Sequence, residues 1–538
     1  MSTLTPEATL QALTTKIEAT NLLNTTHIHQ LLTTTATTET TEEKLTLEAF
    51  LGVFPASIQE VHTPALTNIY RLLCYLSTFP FHALPLPNSL SYAALLRALA
   101  LASPEIACSP ELFEQSNLTR RRTRADFRRL VFQGLASGVV PKTAEQEESR
   151  EAREREREHA RRNAFDIPSA EDDPVQLEFC AVNYDEDGDE MFHDVLDVLY
   201  NVQDKKVWEA GVMRAGWREV AKQLVHEVEV QADAAAGAEE VGERRVRVRE
   251  LGISRSGLKV VVRLFLEGFF GIDAKYTVAT REREKRENTE TGGEEGLEEA
   301  AESVVKAFTR DEDGLVAWER FDEVVRDIMP QFFVGLQKLL APLYQPADDR
   351  KDILDQLPSP SNIVTRPVLA QMGMLLAETV AFDSLLLRGA YTHTTNSAAT
   401  SAEALTAFLR DDEELTVVLI AGRCMRSRQK VVFGFHLPWA GLEGAAASCL
   451  LFQLHPVQDV FPGSTAEIPR PGYRFDAREG TLVFGEDGKG VQLVLEKDLK
   501  RMSVRHVVST KGGYQAREWR GNWTMEVEVH EIEIWDEV

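Results

Sequence analysis

The 538-residue sequence lacks the features of a membrane-spanning, secreted or nucleic-acid-coating protein. No run of 18 or more apolar residues occurs, and a membrane-spanning helix needs about that length. The first residues, Met1-Ser2-Thr3-Leu4-Thr5, include neither the basic nor the apolar region of a secretory signal. Only 59 Lys and Arg stand against 85 Asp and Glu, giving a net charge of −26 that opposes binding to a phosphate backbone. We therefore expect no membrane insertion and no direct contact with nucleic acid.

Cysteine is scarce and its spacing is irregular. The five cysteines contain no CxxC pair; they are Cys74, Cys108, Cys180, Cys424 and Cys449. An odd, scattered set is typical of reduced thiols and is unlike a disulfide framework or a zinc site. This pattern predicts a cytoplasmic protein.

Catalytic motifs are also missing. We find no GxSxG elbow and no HExxH pairing among the 12 histidines. The glycine-rich segment 485–490 lacks P-loop spacing, and its acidic residues would repel phosphate, so Asp487-Gly488 is better interpreted as a hairpin turn. The sequence thus assigns no catalytic residue, no cofactor and no metal ligand, and it predicts a protein that is not an enzyme.

The chain is 43% hydrophobic and 27% charged, as in globular proteins, and its front half shows helical patterns. In Ala65–Leu73 the apolar residues recur at helical spacing, and Ser91 is placed to cap a helix that Pro104 would stop. The arginines of segment 120–129 suggest either a nuclear-localisation or nucleic-acid motif or, the interpretation we favour, the solvent-exposed side of a helix.

From about residue 415 the pattern changes to short β-rich runs separated by Gly, Pro and Asp. The runs are Leu415–Ile420, Val431–Phe435, Leu450–Leu454, Val491–Leu495 and Val504–Val508. They predict an antiparallel sheet. In Met525–Trp535 the alternation of apolar residues changes phase at His530-Glu531, which predicts a β-bulge there.

These patterns predict an α+β protein with an all-α N-terminal region and a β-rich C-terminal domain. The predicted parts are a Thr-rich segment 1–48, a helical region 49–345, a linker 346–364 and a C-terminal domain 365–538. The helical region carries insertions near 144–170, 231–245 and 281–299. The first of these, with alternating acids and arginines, is either a solvated single helix or disordered.

Two segments have partial calcium-loop spacing. Asp185 and Asp187 follow Asn183 at alternate positions before Gly188, and Asp194 stands at position 12, where EF-hands place a bidentate Glu. The second segment begins at Thr309 and has an apolar anchor, Val316, but Arg320 at position 12 cannot chelate. We interpret the pair as EF-hand-like and metal-free, with a calcium sensor using Asp185, Asp187 and Asp194 as the alternative.

Several C-terminal segments resemble one protein family. Residues 450–461 read LLFQLHPVQDVF, segment 382–386 reads FDSLL, segment 432–439 contains VFGF and PW, segment 481–485 reads TLVFG, and 532–535 reads IEIW. Together they resemble the TLDc domain, with its "LFxLxPxxxVF" segment and closing "(V/L)EVW". The amino-acid sequence of 450–461 and the long helical front half are most similar to those of the fungal restriction of telomere capping proteins of the fifth type. Leu482 and Val483 depart from the family's usual Ile-Gly.

The resemblance implies a C-terminal β-sandwich of two antiparallel sheets flanked by helices. It also implies a non-catalytic regulator, monomeric and cytoplasmic or peripheral at the vacuolar membrane, that binds peripheral subunits of the vacuolar-type proton ATPase and modulates its assembly. The family is linked to oxidative-stress resistance, and genetically to telomere capping.

The alternative is a peroxide-responsive redox protein that acts through Cys424 or Cys449. Arg423, Arg426 and Arg428 surround Cys424 in sequence and could supply the positive field that a reactive thiolate needs.

Overall fold

The structure is a computed structural model that describes residues 5–35, 43–114, 122–139, 190–202, 214–236, 248–271, 293–311, 314–346, 361–376, 385–392, 401–410, 416–437, 449–463, 472–508 and 512–537. Contacts divide the chain into two units. The first comprises Met1–Val261, Asp311–Asp322 and Leu340–Arg350, and the second Val262–Arg310, Glu323–Leu339 and Lys351–Val538. The division therefore differs from the linear boundary predicted at 346–364, because segments of the helical region belong to the unit that contains the C-terminal sheet.

The described α-helices, in chain order, are α1 (Pro6–Thr20), α2 (Thr25–Thr35), α3 (Leu47–Gly52), α4 (Ala56–Ser77), α5 (Tyr92–Leu101), α6 (Pro104–Ala107), α7 (Arg124–Leu135), α8 (Glu190–Val202), α9 (Arg214–Ala236), α10 (Arg255–Gly268), α11 (Gly293–Phe308), α12 (Trp318–Asp327), α13 (Val334–Tyr344), α14 (Arg366–Leu376) and α15 (Ala402–Arg410). The described strands are β1 (Lys44–Thr46), β2 (Ser89–Ser91), β3 (Gly138–Val139), β4 (Leu251–Ser254), β5 (Leu315–Ala317), β6 (Leu385–Thr392), β7 (Thr416–Cys424), β8 (Lys430–Leu437), β9 (Leu450–His455), β10 (Asp459–Pro462), β11 (Tyr473–Asp476), β12 (Thr481–Glu486), β13 (Lys489–Leu495), β14 (Arg501–Val507) and β15 (Trp523–Glu537). The chain is thus mixed helix and strand, with a helical N-terminal region and a C-terminal antiparallel sheet.

Local signals in the first unit form the helices that they predict. The Ser91 side chain accepts a hydrogen bond from the Ala94 N–H and caps α5. The predicted apolar face of α4 is buried; it comprises Leu66, Ile69, Tyr70 and Leu73. The capping residue and the spacing of apolar residues therefore predicted these two helices correctly.

Two short antiparallel pairings recur in the first unit. β1 pairs with β2, with Leu45 opposite Leu90. β4 pairs with β5, with Ile253 opposite Val316. All four side chains are buried, and a helix begins directly after each strand. Each pairing thus joins two strand–helix elements through one pair of apolar side chains.

The second unit contains a ten-stranded sheet in the order β10-β9-β8-β7-β15-β14-β13-β12-β11, with β6 also paired to β15. β15 is the central strand. Its first half pairs with β14 and its second half with β6, while β7 follows its opposite edge. The register of β15 against β7 shifts between Val529 and Glu531, which confirms the predicted bulge. The hairpin predicted at Asp487-Gly488 is also confirmed, since it joins β12 to β13 and Gly488 has φ +71°.

The sheet curls back on itself around an apolar core. β8 and β12 are five strands apart in the hydrogen-bonded order, a separation of about 24 Å in a flat sheet. Yet the ring centroids of Phe435 on β8 and Phe484 on β12 lie 4.7 Å apart. Both rings belong to a buried cluster that also includes Ile420, Leu493 and Ile534.

The face of the sheet opposite this core packs on helices α11 and α14, which both contact β9. Gly434 on β8 pairs with Phe452 on β9, and a Cβ on Gly434 would lie 2.1 Å from the Phe452 ring. Only glycine therefore allows this aromatic ring to lie flat across the neighbouring strand.

Helices occupy three parts of the front half for which the sequence patterns predicted none. The segment 1–48 is not merely Thr-rich, because α1 and α2 bury Leu13, Ile17, Ile28 and Leu32. Helix α9 continues through residues 231–236, where an insertion was predicted, and α11 begins at Gly293, inside the third insertion. The predicted insertion at 144–170 lies outside the described residues, as do most of the linker and residues 1–4 and 36–42 of the Thr-rich segment.

The predicted solvent exposure of the arginines in segment 120–129 was wrong for three of them. Arg122, Arg128 and Arg129 are only 2%, 8% and 0% exposed, so they do not form a solvated face. Arg128 Nε donates to Asp322 Oδ1 at 2.6 Å, and Arg129 Nη2 donates to Asp194 Oδ1 at 2.8 Å. Aspartates distant in sequence thus compensate the buried charges.

Candidate functional site

The segment that carries the strongest family resemblance, 450–461, forms β9, a cis His455-Pro456 turn and β10. Its polar side chains bind helices to the sheet. Ser303 Oγ on α11 and His455 Nδ1 are 2.8 Å apart, and the Gln458 N–H donates to the Ser303 carbonyl at 2.9 Å. Gln371 Nε2 on α14 donates to Gln458 Oε1 at 2.9 Å and to the Leu454 carbonyl at 3.2 Å.

The Ser303–His455 pair has the composition of a nucleophile and its base, but its surroundings do not suit catalysis. The two residues are only 2% and 4% exposed, so a substrate cannot reach them in this structure. Burial, together with the charges of Lys430 and Lys306, lowers the pKa of His455 to about 3. The imidazole is therefore neutral at physiological pH, and the pair acts as a structural hydrogen bond between sheet and helix.

Asp459 at the start of β10 anchors two arginines from segment 517–520. Arg520 Nη1 lies 3.3 Å from Asp459 Oδ2 and donates to Gln453 Oε1 at 2.7 Å, while Arg517 Nε lies 3.8 Å from Asp459 Oδ1. Burial raises the pKa of Asp459 despite the opposing effect of both arginines. Arg517 Nη2 also donates to the Asp327 carbonyl at 2.9 Å.

Next to Asp459, arginine and tryptophan side chains form a partly exposed cluster. This Arg–Trp patch consists of Arg310, Trp519, Arg520 and Trp523. The Arg520 guanidinium lies 4.9 Å from the Trp523 ring centroid and 5.7 Å from that of Trp519, and Arg310 lies 5.3 Å from the Trp519 centroid. His506 stacks on Trp523 with centroids 5.2 Å apart. Tryptophan and arginine are the residue types most enriched in binding hot spots.

Sequence reasoning missed the Arg–Trp patch. Segment 517–523 reads REWRGNW, and its density of Arg and Trp was the available signal. The contribution of Arg310 could not be found in this way, because it lies far away in sequence and only folding brings it to Trp519.

The two cysteines of the redox alternative both lie in the sheet core and both are free thiols. Burial tends to raise the pKa of Cys424, but hydrogen bonds from the Ser427 side chain and from the Ser427 and Arg426 N–H groups, with the Arg426 charge, hold it below its ordinary value. In contrast, burial raises the pKa of Cys74 to about 11 and that of Cys108 to about 12.

The other two arginines predicted to act on Cys424 have other contacts. Arg428 Nη1 pairs with Glu528 Oε2 at 3.1 Å, and Arg423 Nη1 donates to the Arg428 carbonyl at 3.4 Å. Cys449 lies beside Tyr514, whose hydroxyl donates to the Gly472 carbonyl at 2.8 Å.

The calcium alternative is not favoured by Asp194, the one predicted carboxylate ligand of the first loop that lies within the described residues. Asp194 is fully buried, and it accepts hydrogen bonds from Arg122 Nη1 and Arg129 Nη2, both at 2.8 Å. His82 Nε2 lies 3.1 Å from its second oxygen. Burial acts to raise the pKa of Asp194, but the two arginines outweigh it and hold the pKa well below the ordinary value. A carboxylate held in this way cannot also serve as the bidentate calcium ligand.

Residues 183–189 of that loop, including Asp185 and Asp187, lie outside the described residues. In the second loop Val316 is buried, as an anchor should be, and Arg320 follows it in α12. Across the described ranges, no three His, Cys, Asp or Glu side chains come together in a way that could hold a metal ion.

Comparison with known proteins adds no family: no family model and no curated protein matches the chain. In the described part of the chain, no helix is both long enough and apolar enough to span a membrane.

Proposed function

We propose that this chain is a non-catalytic regulatory protein of the TLDc type that binds peripheral subunits of the vacuolar-type proton ATPase and modulates its assembly. The proposal rests on the resemblance of the C-terminal segments. One observation supports it: the described residues of those segments belong to one unit, where Leu451, Phe461 and Ile534 pack in a single core. Residues that specify the fold of a family are expected to pack in a common core.

The finer fold assignment is part of the same proposal. The curled sheet, with Phe435 facing Phe484, would be the two-layer sandwich of the family. The paired strand–helix elements of the first unit would be degenerate EF-hands, with Leu45, Leu90, Ile253 and Val316 at the apolar anchor position. Position 12 would then be Ala49, Ala94, Gly257 and Arg320, none of which can provide a carboxylate for calcium.

The Arg–Trp patch is the observation that supports a role in binding a protein partner. Its rings and guanidinium groups are held in place by contacts with one another and by Asp459, so little conformational entropy would be lost when a partner covers them. We place the ATPase contact here, with the protein in the cytoplasm and at the vacuolar membrane as a peripheral, monomeric binder. The genetic links to stress resistance and telomere capping would be indirect, because a net charge of −26 opposes contact with DNA.

The test is recovery of ATPase subunits with tagged full-length protein from a fungal lysate. Arg310 is exposed, so Arg310→Glu should leave the fold intact and reduce recovery at least about tenfold by placing a carboxylate against Trp519. Arg474→Glu, an equal charge change at another exposed arginine of the same unit, is the control. Absence of ATPase subunits from the wild-type sample, under both glucose-fed and starved conditions, would refute the partner. Equal recovery with both variants would refute the surface.

A second candidate function, peroxide sensing, is favoured by the lowered pKa of Cys424. The thiolate sulfur would attack one peroxide oxygen, break the O–O bond and release hydroxide, leaving a sulfenic acid. Purified protein should then consume about one equivalent of hydrogen peroxide, and Cys424→Ser should abolish this while Cys74→Ser should not. Cys449→Ser tests whether the second thiol resolves the sulfenic acid. Equal peroxide consumption by wild type and Cys424→Ser would exclude this function.

A further inference from the structure

A cavity of about 310 Å³ lies within the first unit, where the end of α4, β1, β2 and α5 meet. Its polar lining consists of Lys44, Ser77, Thr78, Ser89, Ser91 and Arg97, and its apolar lining includes Leu10 and Leu84. The lining thus contains two cations and four hydroxyl groups but no carboxylate. This composition is unexpected in a chain with a net charge of −26.

Arg97 is buried without an acidic partner. It is 8% exposed; its Nε donates to the Ser77 carbonyl at 3.0 Å and its Nη1 to Thr14 Oγ1 at 2.7 Å. Within the described residues its Nη2 has no hydrogen-bond partner. Burial alone lowers the pKa of Arg97 to about 10, with no nearby acid to raise it. A buried charge satisfied only by neutral acceptors is costly.

The other buried arginines of this unit show how such a charge is usually compensated. Arg128 lies 2.6 Å from Asp322, and both Arg122 and Arg129 lie 2.8 Å from Asp194. Arg97 differs: within the described residues no carboxylate compensates it, and the negative end of α4, which terminates at Ser77, provides about half an elementary charge. The site therefore keeps an excess of positive charge that a bound anion would neutralise.

Two further groups strengthen the attraction for an anion. Lys44 lines the same cavity on β1. Ser91 caps the N-terminus of α5, so the positive end of that ten-residue helix begins at the cavity wall. A guanidinium, an ammonium, a helix N-terminus and the Ser89 hydroxyl suit a phosphate group, whose several oxygens accept from donors in different directions.

We propose that this cavity, centred on Arg97 and Lys44, binds the phosphate group of a small phosphate monoester. The volume, near the lower end for ligand pockets, suits a small molecule and not an extended polyanion. A neighbouring cleft shares Lys44 and Ser91 and is also lined by Glu18 and Glu43. These acids favour a ligand whose remainder is neutral or cationic. The site is separate from the Arg–Trp patch and does not depend on the function proposed above.

The experiment is calorimetric titration of full-length protein with inorganic phosphate and with glycerol phosphate, at constant ionic strength, with malonate as the carboxylate comparison. We expect saturable binding of both phosphates, with glycerol phosphate at least as tight as inorganic phosphate and malonate about tenfold weaker. Lys44→Gln should weaken phosphate binding about tenfold, and Arg97→Gln should abolish it. Arg71→Gln is the matched control because Arg71 is exposed on α4 and does not line this cavity, so its affinity should stay within about twofold of wild type.

If Arg97→Gln does not fold, Lys44→Gln and Ser89→Ala decide the question, since both change partly exposed positions. The proposal is wrong if wild type shows no saturable heat with either phosphate up to about 10 mM, the weak end of specific binding. It is equally wrong if Lys44→Gln and Ser89→Ala bind as wild type does, or if malonate matches phosphate.

Discussion

Three buried histidines of the second unit, His436, His455 and His506, have lowered pKa values and make that unit sensitive to acid. His436 and His455 are 0% and 4% exposed, and neither ring nitrogen of His436 has a hydrogen-bond partner in the described part of the chain. Burial lowers the pKa of His436 from 6.5 to about 4. Burial and the charges of Lys430 and Lys306 lower that of His455 to about 3. The folded unit therefore holds both rings in the neutral form.

The sign of the effect follows from proton linkage. When the pH falls below 6.5, the unfolded chain binds protons that the folded chain does not bind. The free energy of unfolding is therefore highest above that pH and decreases as the pH falls towards the folded pKa values. Between pH 7 and pH 5, His436 and His455 should each remove about 2 kcal/mol, about 4 kcal/mol together, and His506, whose pKa burial lowers to about 4, adds to this loss. A typical domain is stable by only about 5–15 kcal/mol, so a loss of this size is readily measured.

The assay is urea denaturation at several pH values, followed by tryptophan fluorescence. His436→Leu replaces a ring without hydrogen bonds by an apolar side chain. We expect it to leave stability at pH 7 within about 1 kcal/mol of wild type and to lower the slope between pH 5 and 6 by about 1.2 kcal/mol per pH unit. His530→Gln changes an exposed histidine of the same unit and should not alter the slope. If His436→Leu retained the full wild-type slope, the reasoning would fail.

Three further substitutions test the packing. Gly434→Ala should destabilise the second unit by about 2 kcal/mol, because the added methyl group would overlap the Phe452 ring; denaturant midpoints measure this. Glu533→Gln should cost about 2 kcal/mol, since the fully buried carboxylate accepts hydrogen bonds from Ser361 Oγ, the Ile363 N–H and Trp535 Nε1; chemical denaturation followed by fluorescence measures it. Asp194→Asn should destabilise the first unit by about 3–5 kcal/mol because it leaves two buried arginines unneutralised; thermal unfolding reports the loss.

Each substitution has a control or a contrary outcome. Gly52→Ala adds a methyl group with no atom within 4 Å of it, so it should be nearly neutral where Gly434→Ala is not. Wild-type stability of Glu533→Gln would mean that segment 361–363 is not held by this carboxylate. A calcium-dependent rise in the melting temperature of wild type, absent in Asp194→Asn, would restore the calcium-loop interpretation.

Sequence signals succeeded where the relevant interaction is local. The Ser91 cap depends on an N–H three residues away, and the β15 bulge shows itself as a change of alternation within one strand. The five β-rich runs after residue 415 similarly predicted strands, because each pattern is complete within five or six residues. These patterns therefore predicted six of the ten strands of the C-terminal sheet without knowledge of their partners; the six are β7, β8, β9, β13, β14 and β15.

Prediction failed where distant residues decide the outcome. A run of arginines is ordinarily solvated, and nothing near α7 in sequence shows that Asp322, 194 residues away, will meet Arg128 inside the protein. The same holds for Arg97 and Thr14, which are 83 residues apart, and for the cavity that Arg97 lines together with Lys44. The alternation of the two units along the chain escaped prediction for the same reason. An amphipathic pattern shows that one face of a helix is buried, but it does not show which element buries that face.

The positions of the family-like residues affect how the proposed function should be tested. His455, Gln458 and Asp459 are buried and bind helices, strands and arginines to one another. Substituting them would disturb the scaffold and would report on stability, whatever the partner is. The Arg–Trp patch, in contrast, lies outside the segments that carry the resemblance and is partly exposed. A binding defect confined to Arg310→Glu, with an unchanged unfolding curve, would therefore be evidence about the partner that no substitution within 450–461 can provide.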